Sequence, residues 1–405
     1  MIILLNASNL KKGGGIQVGD SLCCSLNKYH QHKFIVVCSS FMKSTLDRIS
    51  DYSNVVSYEY TMTYKSPFLL MFGRDKFMDD LVERYNVDCV LSVFGPVVWV
   101  PKCAHVSGFA RPHLVIPESP YYSRFSRKEL LIEKFRNIIL KICFERTAKV
   151  YFTENPFISQ RLEKLIPSAK VFTVTNFYNQ IFDHPEQWKQ VVLPEFDGTT
   201  LLTVSAAYPH KNMEIAVDVA KILKEEHPEF KFRFVYTINQ NDLNIESNGV
   251  NEKLLAEHFV FTGKVDISQC PSLYSQADIE FMPILLECFT ATYPEAMRMN
   301  LPIITTDVEF ARGLCKDAAV YYKPLSAKDA ADTIYNVATN KVLMNELINN
   351  GKRRLEDFDN YEQRCDKIIQ LVEGCVSDGY GMTGGVNNVP QCLFVAHLIE
   401  RRCAA

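Results

Sequence analysis

The sequence predicts an α/β fold in which two doubly wound parallel sheets follow one another along the chain. Short runs rich in β-branched residues alternate with amphipathic helical stretches from end to end, which is the pattern of repeated βα units. Nearly all of these runs are apolar on both faces, as expected for strands that helices cover on both sides. Between an earlier and a later set of runs, the segment His184–Thr200 shows no clear period and contains Pro185, Pro194 and Gly198. We interpret it as the linker between two sheet domains.

The individual elements follow from the hydrophobic periodicity. The predicted strands of the first domain are Ile2–Leu5, Phe34–Cys38, Cys89–Val93, Val150–Thr153 and Val171–Thr175. The predicted strands of the second domain are Leu201–Ser205, Phe232–Ile238, His258–Thr262, Ile279–Pro283 and Pro302–Thr306. The predicted helices are Ile16–Tyr29, Lys76–Tyr85, Lys128–Thr147, Met213–His227, Pro271–Gln276, Ala327–Asn340 and Asn360–Glu373.

Composition and charge exclude several classes of protein. The 405 residues exceed one ordinary domain, and 47% hydrophobic with 22% charged residues exclude disorder and coiled coil. The 44 basic and 47 acidic residues nearly cancel, so we expect no nucleic-acid partner. The 13 cysteines include no C-x-x-C pair, which predicts reduced thiols rather than zinc ligands. The apolar start reaches Asn6 without a basic region, and the run Cys89–Pro101 is too short to span a bilayer. We therefore expect a cytoplasmic protein.

A glycine cluster, Gly13–Gly15, lies between the first strand and the first helix, where its amides can face a phosphate or a sugar. A P-loop would need a lysine after Gly19, but Asp20 follows. A dinucleotide-binding fingerprint would need a small residue at Val18 and an acid at the end of the second strand, where Cys38 stands. Both motifs fail, and a tight turn that binds no ligand is the alternative.

Two glutamates eight positions apart, Glu287 and Glu295, follow the predicted strand Ile279–Pro283. Pro294 favours the start of a helix at this point. Backbone amides around Thr290–Thr292 would then converge on an anion, with one carboxylate on each side. The alternative for Glu295 is an acid in the first helical turn that only complements the helix dipole.

A lysine, Lys211, follows the predicted strand Leu201–Ser205 of the same domain. At the carboxyl end of a strand its ammonium group can hold a diphosphate as a point charge. The alternative is a solvated lysine on the surface.

Together these motifs resemble the retaining glycosyltransferases of group 1, the sucrose-synthase-like family with the GT-B fold. The resemblance covers roughly residues 1–374 and is strongest from Leu201 to Asp332. The Glu-x7-Glu motif of the family is matched by Glu287 and Glu295, with Phe289 at the usual aromatic position. Further landmarks in the family's order are Phe261–Val265, Leu273–Asp278, Pro283, Ala296–Met297, Pro302–Ile304 and Ala318–Val320 leading to Pro324.

The resemblance implies two Rossmann-like domains that face each other across a cleft. We expect an acceptor-side domain at residues 1–185 and a nucleotide-sugar-binding domain at residues 186–358. A crossover helix at residues 359–375 would return to the first domain. We assign no role to the tail, residues 376–405.

The resemblance also implies roles for individual residues. Glu287 would face the donor sugar as the catalytic carboxylate, Glu295 would grip the ribose hydroxyls and Lys211 would bind the phosphates. The loop between the two glutamates would line the donor site through Phe289, Thr290, Ala291 and Thr292. The family's usual arginine five residues before the lysine is replaced by Ala206.

In the first domain, Gly14 and Gly15 match the glycine loop that packs beside the donor phosphates and the acceptor. A histidine commonly follows a strand of this domain and approaches the donor sugar. His105 is the candidate for this catalytic role, and His113 is the alternative. A histidine that only supports the fold is a further interpretation of His105.

By resemblance, the expected activity is retaining, metal-independent transfer of a hexose from a nucleotide-diphosphate sugar to a glycan or lipid-linked glycan in surface polysaccharide synthesis. The nucleotide sugar would be a substrate, and we expect no further cofactor. An epimerase or phosphorylase of the same fold, or a sugar-nucleotide-binding module without catalysis, are the alternatives.

The segment Ser123–Lys149 carries eight basic and three acidic residues in a chain with a net charge of −3. Its apolar residues recur at helical spacing. Such a helix can lie on an anionic membrane leaflet, which would place the protein peripherally at the inner membrane face. The alternative is a domain helix whose apolar stripe packs on the sheet.

Overall fold

The computed structural model describes residues 1–11, 13–62, 73–245 and 249–379. The predicted tail therefore lies outside the described residues from residue 380 onward. The chain divides into two compact units. Unit 1 contains residues 1–117, 125–175 and those from 361 onward, and unit 2 contains residues 118–124 and 176–360.

Unit 1 is built on a sheet of seven parallel strands in the order β3-β2-β1-β4-β5-β6-β7. The strands are β1 Ile2–Ala7, β2 Lys33–Cys38, β3 Val55–Glu59, β4 Cys89–Ser92, β5 Ala104–Gly108, β6 Val150–Thr153 and β7 Lys170–Thr173. The helices are α1 Gly14–Cys24, α2 Lys43–Ile49, α3 Lys76–Tyr85, α4 Pro112–Val115, α5 Arg127–Thr147, α6 Pro156–Leu165 and, late in the chain, α14 Tyr361–Ser377.

Helices cover both faces of this sheet, as the apolar strands require. On one face Ile3 and Leu91 pack in a buried cluster with Ile368 of α14. On the other face Leu4 packs in a cluster with Ile139 of α5. Burying one such side chain contributes about 1.5–3 kcal/mol, so the two clusters hold the sheet between its helices.

Unit 2 contains six parallel strands in the order β10-β9-β8-β11-β12-β13. The strands are β8 Thr199–Thr203, β9 Phe232–Tyr236, β10 Phe259–Phe261, β11 Ile279–Met282, β12 Ile303–Thr306 and β13 Ala319–Tyr322. The helices are α7 Ile215–Glu226, α8 Gly249–His258, α9 Cys270–Tyr274, α10 Thr292–Arg298, α11 Glu309–Cys315, α12 Ala327–Thr339 and α13 Lys341–Leu355.

The strand order of unit 2 is the doubly wound order 3-2-1-4-5-6, and the first six strands of unit 1 repeat it. The predicted α/β class with two doubly wound sheets is thus confirmed. In such sheets the direction of winding reverses between the first and fourth strands, which leaves a crevice at their carboxyl ends. In unit 2 this switch point lies between β8 and β11.

The structure adds three strands that the periodicity did not predict, β3, β5 and β13. β3 is only partly buried and β5 ends in Gly108, so neither presents a continuous apolar run. Among the described residues, no helix is long and apolar enough to cross a lipid bilayer.

Candidate active site

The loop after β8 places Lys211 at the switch point of unit 2. The chain leaves β8 at Thr203 and turns through a short 3-10 segment, Pro209–Lys211, before Asn212 takes a left-handed conformation with φ of 54°. The side chain of Lys211 is 10% exposed, and its Nζ lies 2.9 Å from Oε2 of Glu287. Lys211 is therefore a buried, paired cation, and its interpretation as a solvated surface lysine is wrong.

Glu287 lies on the loop after β11 and faces two basic groups. Besides Lys211, Nε2 of His210 lies 3.8 Å from Oε2 of the carboxylate. Burial raises the pKa of Glu287, but the positive charge of Lys211 and its hydrogen bond to the carboxylate outweigh this effect, and the net pKa is below its usual value. The side chain remains 23% exposed, so a charged carboxylate stays accessible at this point.

His210 is held by two aromatic rings. It stacks on Tyr208 with ring centroids 5.5 Å apart, and it meets Tyr121 edge-on with ring centroids 6.3 Å apart. Burial lowers the pKa of His210 to about 4, so the imidazole is neutral at pH 7. His210 was not among the predicted site residues, although its position beside Lys211 was the available signal.

The two loops are fastened to each other and to residues 118–124. The amide of Leu285 donates to the carbonyl of His210 at 2.9 Å, and Oγ of Ser119 donates to the carbonyl of Leu285 at 2.7 Å. The guanidinium of Arg124 donates to Oδ1 of Asn212 and pairs with Glu214. The geometry of the Lys211 loop is thus set by a segment that lies far earlier in the chain.

Arg124 also brings a guanidinium to the loop in which Ala206 replaces the family's arginine. Beside it, Nδ2 of Asn212 is buried and has no hydrogen-bond partner among the described residues. A buried donor of this kind is costly unless an acceptor reaches it. The site therefore offers a donor to an oxygen-rich group next to Lys211.

Glu295 lies in α10 and is 5% exposed. The hydroxyl of Tyr274 donates to its Oε2 at 3.1 Å. Burial raises the pKa of Glu295 to about 7, against the opposing effect of the Tyr274 hydrogen bond. Glu295 therefore titrates near neutral pH, whereas Glu287 stays charged.

A third acid, Glu280, was missed by the sequence analysis. It lies on β11, is fully buried, and both of its carboxyl oxygens lack a hydrogen bond of ordinary geometry. Burial, followed by the nearby charge of Glu295, raises its pKa well above the usual value, although Thr292 and Tyr274 lower it somewhat. The folded environment therefore favours the protonated form of Glu280. No signal in the apolar pattern of its strand distinguished it.

The loop between Glu287 and Glu295 is short and partly buried. The hydroxyls of Thr290 and Thr292 lie 3.0 Å apart, and the ring of Phe289 meets Phe358 edge-on with centroids 6.3 Å apart. Ala291 is the N-cap of α10. That this loop contacts a donor through Phe289 and residues 290–292 remains a prediction.

The glycine loop of unit 1 begins α1 at Gly14. A Cβ atom at Gly14 would meet nothing within 4 Å, and one at Gly15 would lie 3.4 Å from Cδ2 of Leu10. Packing within unit 1 therefore does not require glycine at either position. Gly13 differs from them, because its φ of 67° lies in the left-handed region, where glycine is strongly favoured.

His105 was expected to follow a strand. It lies inside β5 instead, and it is 5% exposed. Its Nε2 lies 2.9 Å from Oγ of Ser92, and its Nδ1 lies 2.6 Å from the carbonyl of Thr147. Burial lowers its pKa to about 4. These contacts correct the expected position and favour the interpretation of His105 as a histidine that supports the fold. His113, the alternative, lies in α4 after the strand, with Nδ1 3.7 Å from Glu133.

Among the described residues, one group has the composition of a metal site: Glu226, His227 and Asp332, whose ligand atoms lie within 4.8 Å of one another. Nζ of Lys328 lies 2.9 Å from Glu226 and also pairs with Asp332. The ammonium group thus already offsets one of the two negative charges, and Glu226 and Asp332 lie on α7 and α12 rather than on the loops that carry Lys211 and Glu287.

Comparison with known families decides the classification of unit 2. Residues 185–354 match the model of the glycosyl transferases group 1. The match covers less than half of the chain, and it shows which family this segment resembles. The match contains Lys211, Glu287 and Glu295, so the predicted resemblance is confirmed for the segment that carries its motifs.

Two relatives match part of this chain in sequence. The O-antigen chain mannosyltransferase RfbU of Salmonella typhimurium is 24% identical over 163 residues, 40% of this chain and 44% of that protein. Mannosylfructose-phosphate synthase of Agrobacterium fabrum is 20% identical over 216 residues, 48% of this chain and 45% of that protein. The chain thus spans less than half the length of either relative.

Solved structures extend the likeness to the whole fold. A glycosyltransferase from Rickettsia africae has a TM-score of 0.67 with 16% identity, covering 93% of this chain and 99% of its own. HepE of Anabaena, solved with UDP and glucose, has a TM-score of 0.60 with 13% identity, covering 92% and 99%. At this identity they support the GT-B fold that the group 1 resemblance predicted, and no more.

Proposed function

We propose that this chain is a retaining glycosyltransferase that moves a hexose from a nucleotide-diphosphate sugar to a glycan or lipid-linked glycan during surface polysaccharide synthesis. The observation that carries the proposal is the ion pair of Lys211 and Glu287, 2.9 Å apart at the carboxyl ends of β8 and β11. It joins a cation suited to a diphosphate with a carboxylate suited to a sugar, within the segment that matches group 1.

The role that we propose for Lys211 follows from the negative charge of the leaving group. Cleavage of the bond between the anomeric carbon and the diphosphate leaves positive charge on the sugar and negative charge on the phosphate oxygens. Lys211 Nζ and the unpartnered Nδ2 of Asn212 are held donors that can meet that negative charge. Donors fixed in advance stabilise a transition state because they need not reorganise as the charge develops.

Donor binding changes the partner of Glu287. An arriving diphosphate competes for the ammonium group of Lys211, which frees the carboxylate of Glu287 to accept hydrogen bonds from the sugar. Its pKa is held below the usual value, so it carries negative charge near the developing oxocarbenium ion. This charge is the contribution that we assign to Glu287 as catalytic residue.

Retention of configuration follows if the acceptor enters on the face that the diphosphate leaves. The bond from the anomeric carbon to the phosphate oxygen breaks, and a bond to the acceptor oxygen forms. The acceptor's proton passes to the departing phosphate oxygen. No protein nucleophile is needed in this step. The positive charge of Lys211 also removes the need for a divalent ion at the diphosphate, and we propose a metal-independent reaction.

Glu295 is proposed to accept hydrogen bonds from the ribose hydroxyls, with Tyr274 fixing the orientation of its carboxyl group. The names of the relatives support the choice of substrates: one is a mannosyltransferase of the O-antigen chain, and HepE was solved with UDP and glucose. These favour a hexosyl nucleotide as donor and a polysaccharide precursor as acceptor.

The test is an assay of the purified full chain with UDP-, GDP- and ADP-hexoses, with and without a chelator. We expect release of the nucleoside diphosphate from one donor class, stimulation by a glycan acceptor, insensitivity to the chelator, and a product whose anomeric configuration by NMR matches the donor. Conversion of the sugar nucleotide without diphosphate release would replace the proposal by an epimerase. A requirement for inorganic phosphate would replace it by a phosphorylase, and binding without turnover by a binding module.

A further inference from the structure

The helix α5 of unit 1 is apolar on two opposite faces. Ile139, Leu140, Cys143 and Phe144 are buried on the face that packs against unit 1. Other large apolar side chains of the helix are exposed: Leu131 by 68%, and Phe135 and Ile138 by 52% each. A helix at the surface of a domain normally has one apolar stripe. The alternative interpretation, in which the apolar stripe packs on the sheet, therefore holds for Ile139 and Cys143 but not for this exposed set.

The exposed apolar residues form one patch. Leu131, Phe135 and Ile138 are spaced by four and three residues, so their side chains lie above one another on the same face. Leu130 and Ile132, 40% and 42% exposed, flank this row. Contiguous exposed apolar side chains of this size mark a surface that contacts a partner.

Basic residues border the patch along the same face. Lys128 and Lys134 lie one turn on either side of Leu131, and Lys141 lies one turn beyond Ile138. Lys128 and Lys134 are exposed, and the side chain of Lys141 is 42% exposed. Long lysine side chains at such borders can keep their charge at a polar interface while their stems cover apolar surface.

The acidic residues of α5 offset little of this charge at the patch. Glu133 is buried and pairs with Arg136 on the opposite side of the helix. Glu129 is used in the N-cap, where its carboxylate accepts hydrogen bonds from the amide and hydroxyl of Ser126. Glu145 lies 3.5 Å from Lys141 near the end of the patch. The first three turns of the exposed face therefore present cations around an apolar centre.

We infer that α5 docks this protein on an anionic lipid bilayer, with Leu131, Phe135 and Ile138 inserted at the acyl boundary and the lysines at the headgroups. Charge complementarity selects this occupant, since anionic lipids match both the apolar row and its basic border. A second copy docked through the same patch would cover the apolar row but would offer its basic border further lysines rather than negative charge. A nucleic acid would neutralise the lysines but would press phosphates against the apolar row.

This docking surface does not depend on the transfer reaction proposed above, so the two are tested separately. The direct experiment is flotation of the full chain with vesicles of phosphatidylcholine, alone or mixed with phosphatidylglycerol, at low and high salt. We expect binding to the anionic vesicles at low salt, clear loss of binding at high salt, and weak binding to phosphatidylcholine alone.

Variants at the patch separate lipid contact from general charge. Leu131→Ser and Phe135→Ser should each reduce partitioning to anionic vesicles about tenfold or more, because each removes a large apolar side chain from the membrane. Lys134→Gln should reduce it roughly fivefold. Val342→Ser is the matched control, since Val342 on α13 is 78% exposed but lies outside the patch. It should leave partitioning unchanged.

Several outcomes would overturn the inference. One is failure of the wild-type protein to bind anionic vesicles at low salt. Another is wild-type binding by the Leu131→Ser, Phe135→Ser double variant, or equal loss in Val342→Ser. Self-association that the double variant abolishes, without vesicle binding, would assign the patch to a second copy. Circular dichroism and nucleotide binding of the same variants, both expected unchanged, show that the fold and the donor site survive.

Discussion

The two sheets share one strand order, yet their switch points differ in chemistry. In unit 2 the strands β8 and β11 lead to Lys211 and Glu287, a charged pair. In unit 1 the residues that follow β1 and β4 form no ion pair with each other among the described residues: Nδ2 of Asn9, for example, donates to the carbonyl of Phe94 at 2.8 Å, although Lys11 lies in the same loop. Topology supplies a crevice in both units, but the residues at its rim decide what each crevice can bind.

This contrast also explains where the family match lies. The group 1 segment, 185–354, covers nearly all of unit 2 and none of the sheet of unit 1. The two charged loops of unit 2, whose Lys211 and Glu287 are 76 residues apart, both lie inside this segment.

The sharpest test of the contrast is Glu287→Gln, which keeps the shape of the side chain and removes its charge. We expect turnover to fall about 100- to 1,000-fold, since a positioned charge at the reacting centre contributes about 2.7–4 kcal/mol. Glu346→Gln is the control, because Glu346 is exposed on α13. Steady-state kinetics with the active donor measures the effect, and wild-type turnover in Glu287→Gln would remove Glu287 from the reaction.

The next prediction concerns how Glu295 makes the free energy of unfolding depend on pH. Its pKa in the folded chain is about 7 against the usual value of 4.5, so the carboxyl group favours the folded state while it is protonated. That contribution is complete below pH 4.5 and is lost as the pH rises through 7, a change of about 3 kcal/mol. Glu295→Gln should remove this loss and flatten the decline of unfolding free energy between pH 5 and pH 8.

Urea unfolding of both proteins across that range measures the difference, with Glu346→Gln as the reference for an exposed acid. Parallel stability curves for the wild type and Glu295→Gln would show that Glu295 is not protonated on folding. If the charged form of Glu295 binds the ribose, the donor KM of the wild type should also rise as the pH falls below 7.

Lys211→Met tests the charge of the anion site directly. We expect the affinity for a nucleoside diphosphate to fall about 10- to 100-fold, because a hydrogen bond to a charged group contributes roughly 1.5–3 kcal/mol. The affinity for the nucleoside should stay unchanged. Calorimetric titration of both ligands measures the ratio, and Lys323→Met, at an exposed lysine, is the control. Equal weakening of both ligands would make Lys211 a structural residue only.

The smallest effect is expected in unit 1. Gly15→Ala places a Cβ atom 3.4 Å from Leu10 Cδ2, an ordinary contact, and should change the unfolding free energy by less than about 1 kcal/mol. A several-fold loss of turnover at unchanged stability would indicate that the loop amides approach a ligand closely. Unchanged turnover in both Gly14→Ala and Gly15→Ala would show that this loop is only a tight turn. The residues that bind the donor would then be sought in unit 2.

The sequence was most informative where chemistry and periodicity coincide in a short segment. The strands β8 and β11 are largely buried and a loop after each carries a charged residue, so the family resemblance could assign Lys211 and Glu287 to one site, and the structure brings them within 2.9 Å. Arg124 and Ser119 were missed because they reach this crevice from a segment far from it along the chain. Hydrophobic periodicity carries no information about such long-range contacts.

Buried polar groups were the other source of error. Glu280 occupies a strand whose neighbours are apolar, and nothing in the sequence indicates that it is fully buried. His105 lies on β5, a strand that was not predicted. For this reason His105 was expected to follow a strand rather than to lie within one. In both cases a tertiary environment, rather than local sequence, determines the protonation state of the group.

The late helix α14 has a consequence for the order in which the chain can fold. Ile368, Ile369 and Val372 complete a buried cluster on the sheet of unit 1, and Arg364 pairs with the buried Glu154 at 2.8 Å. During synthesis these residues emerge after the contiguous stretch 176–360 of unit 2. Unit 2 can therefore reach its final structure while one face of the earlier sheet is still uncovered. Unit 1 can become stable only after α14 has been synthesised. Until then the nascent chain exposes an apolar face of this sheet, to which chaperones can bind.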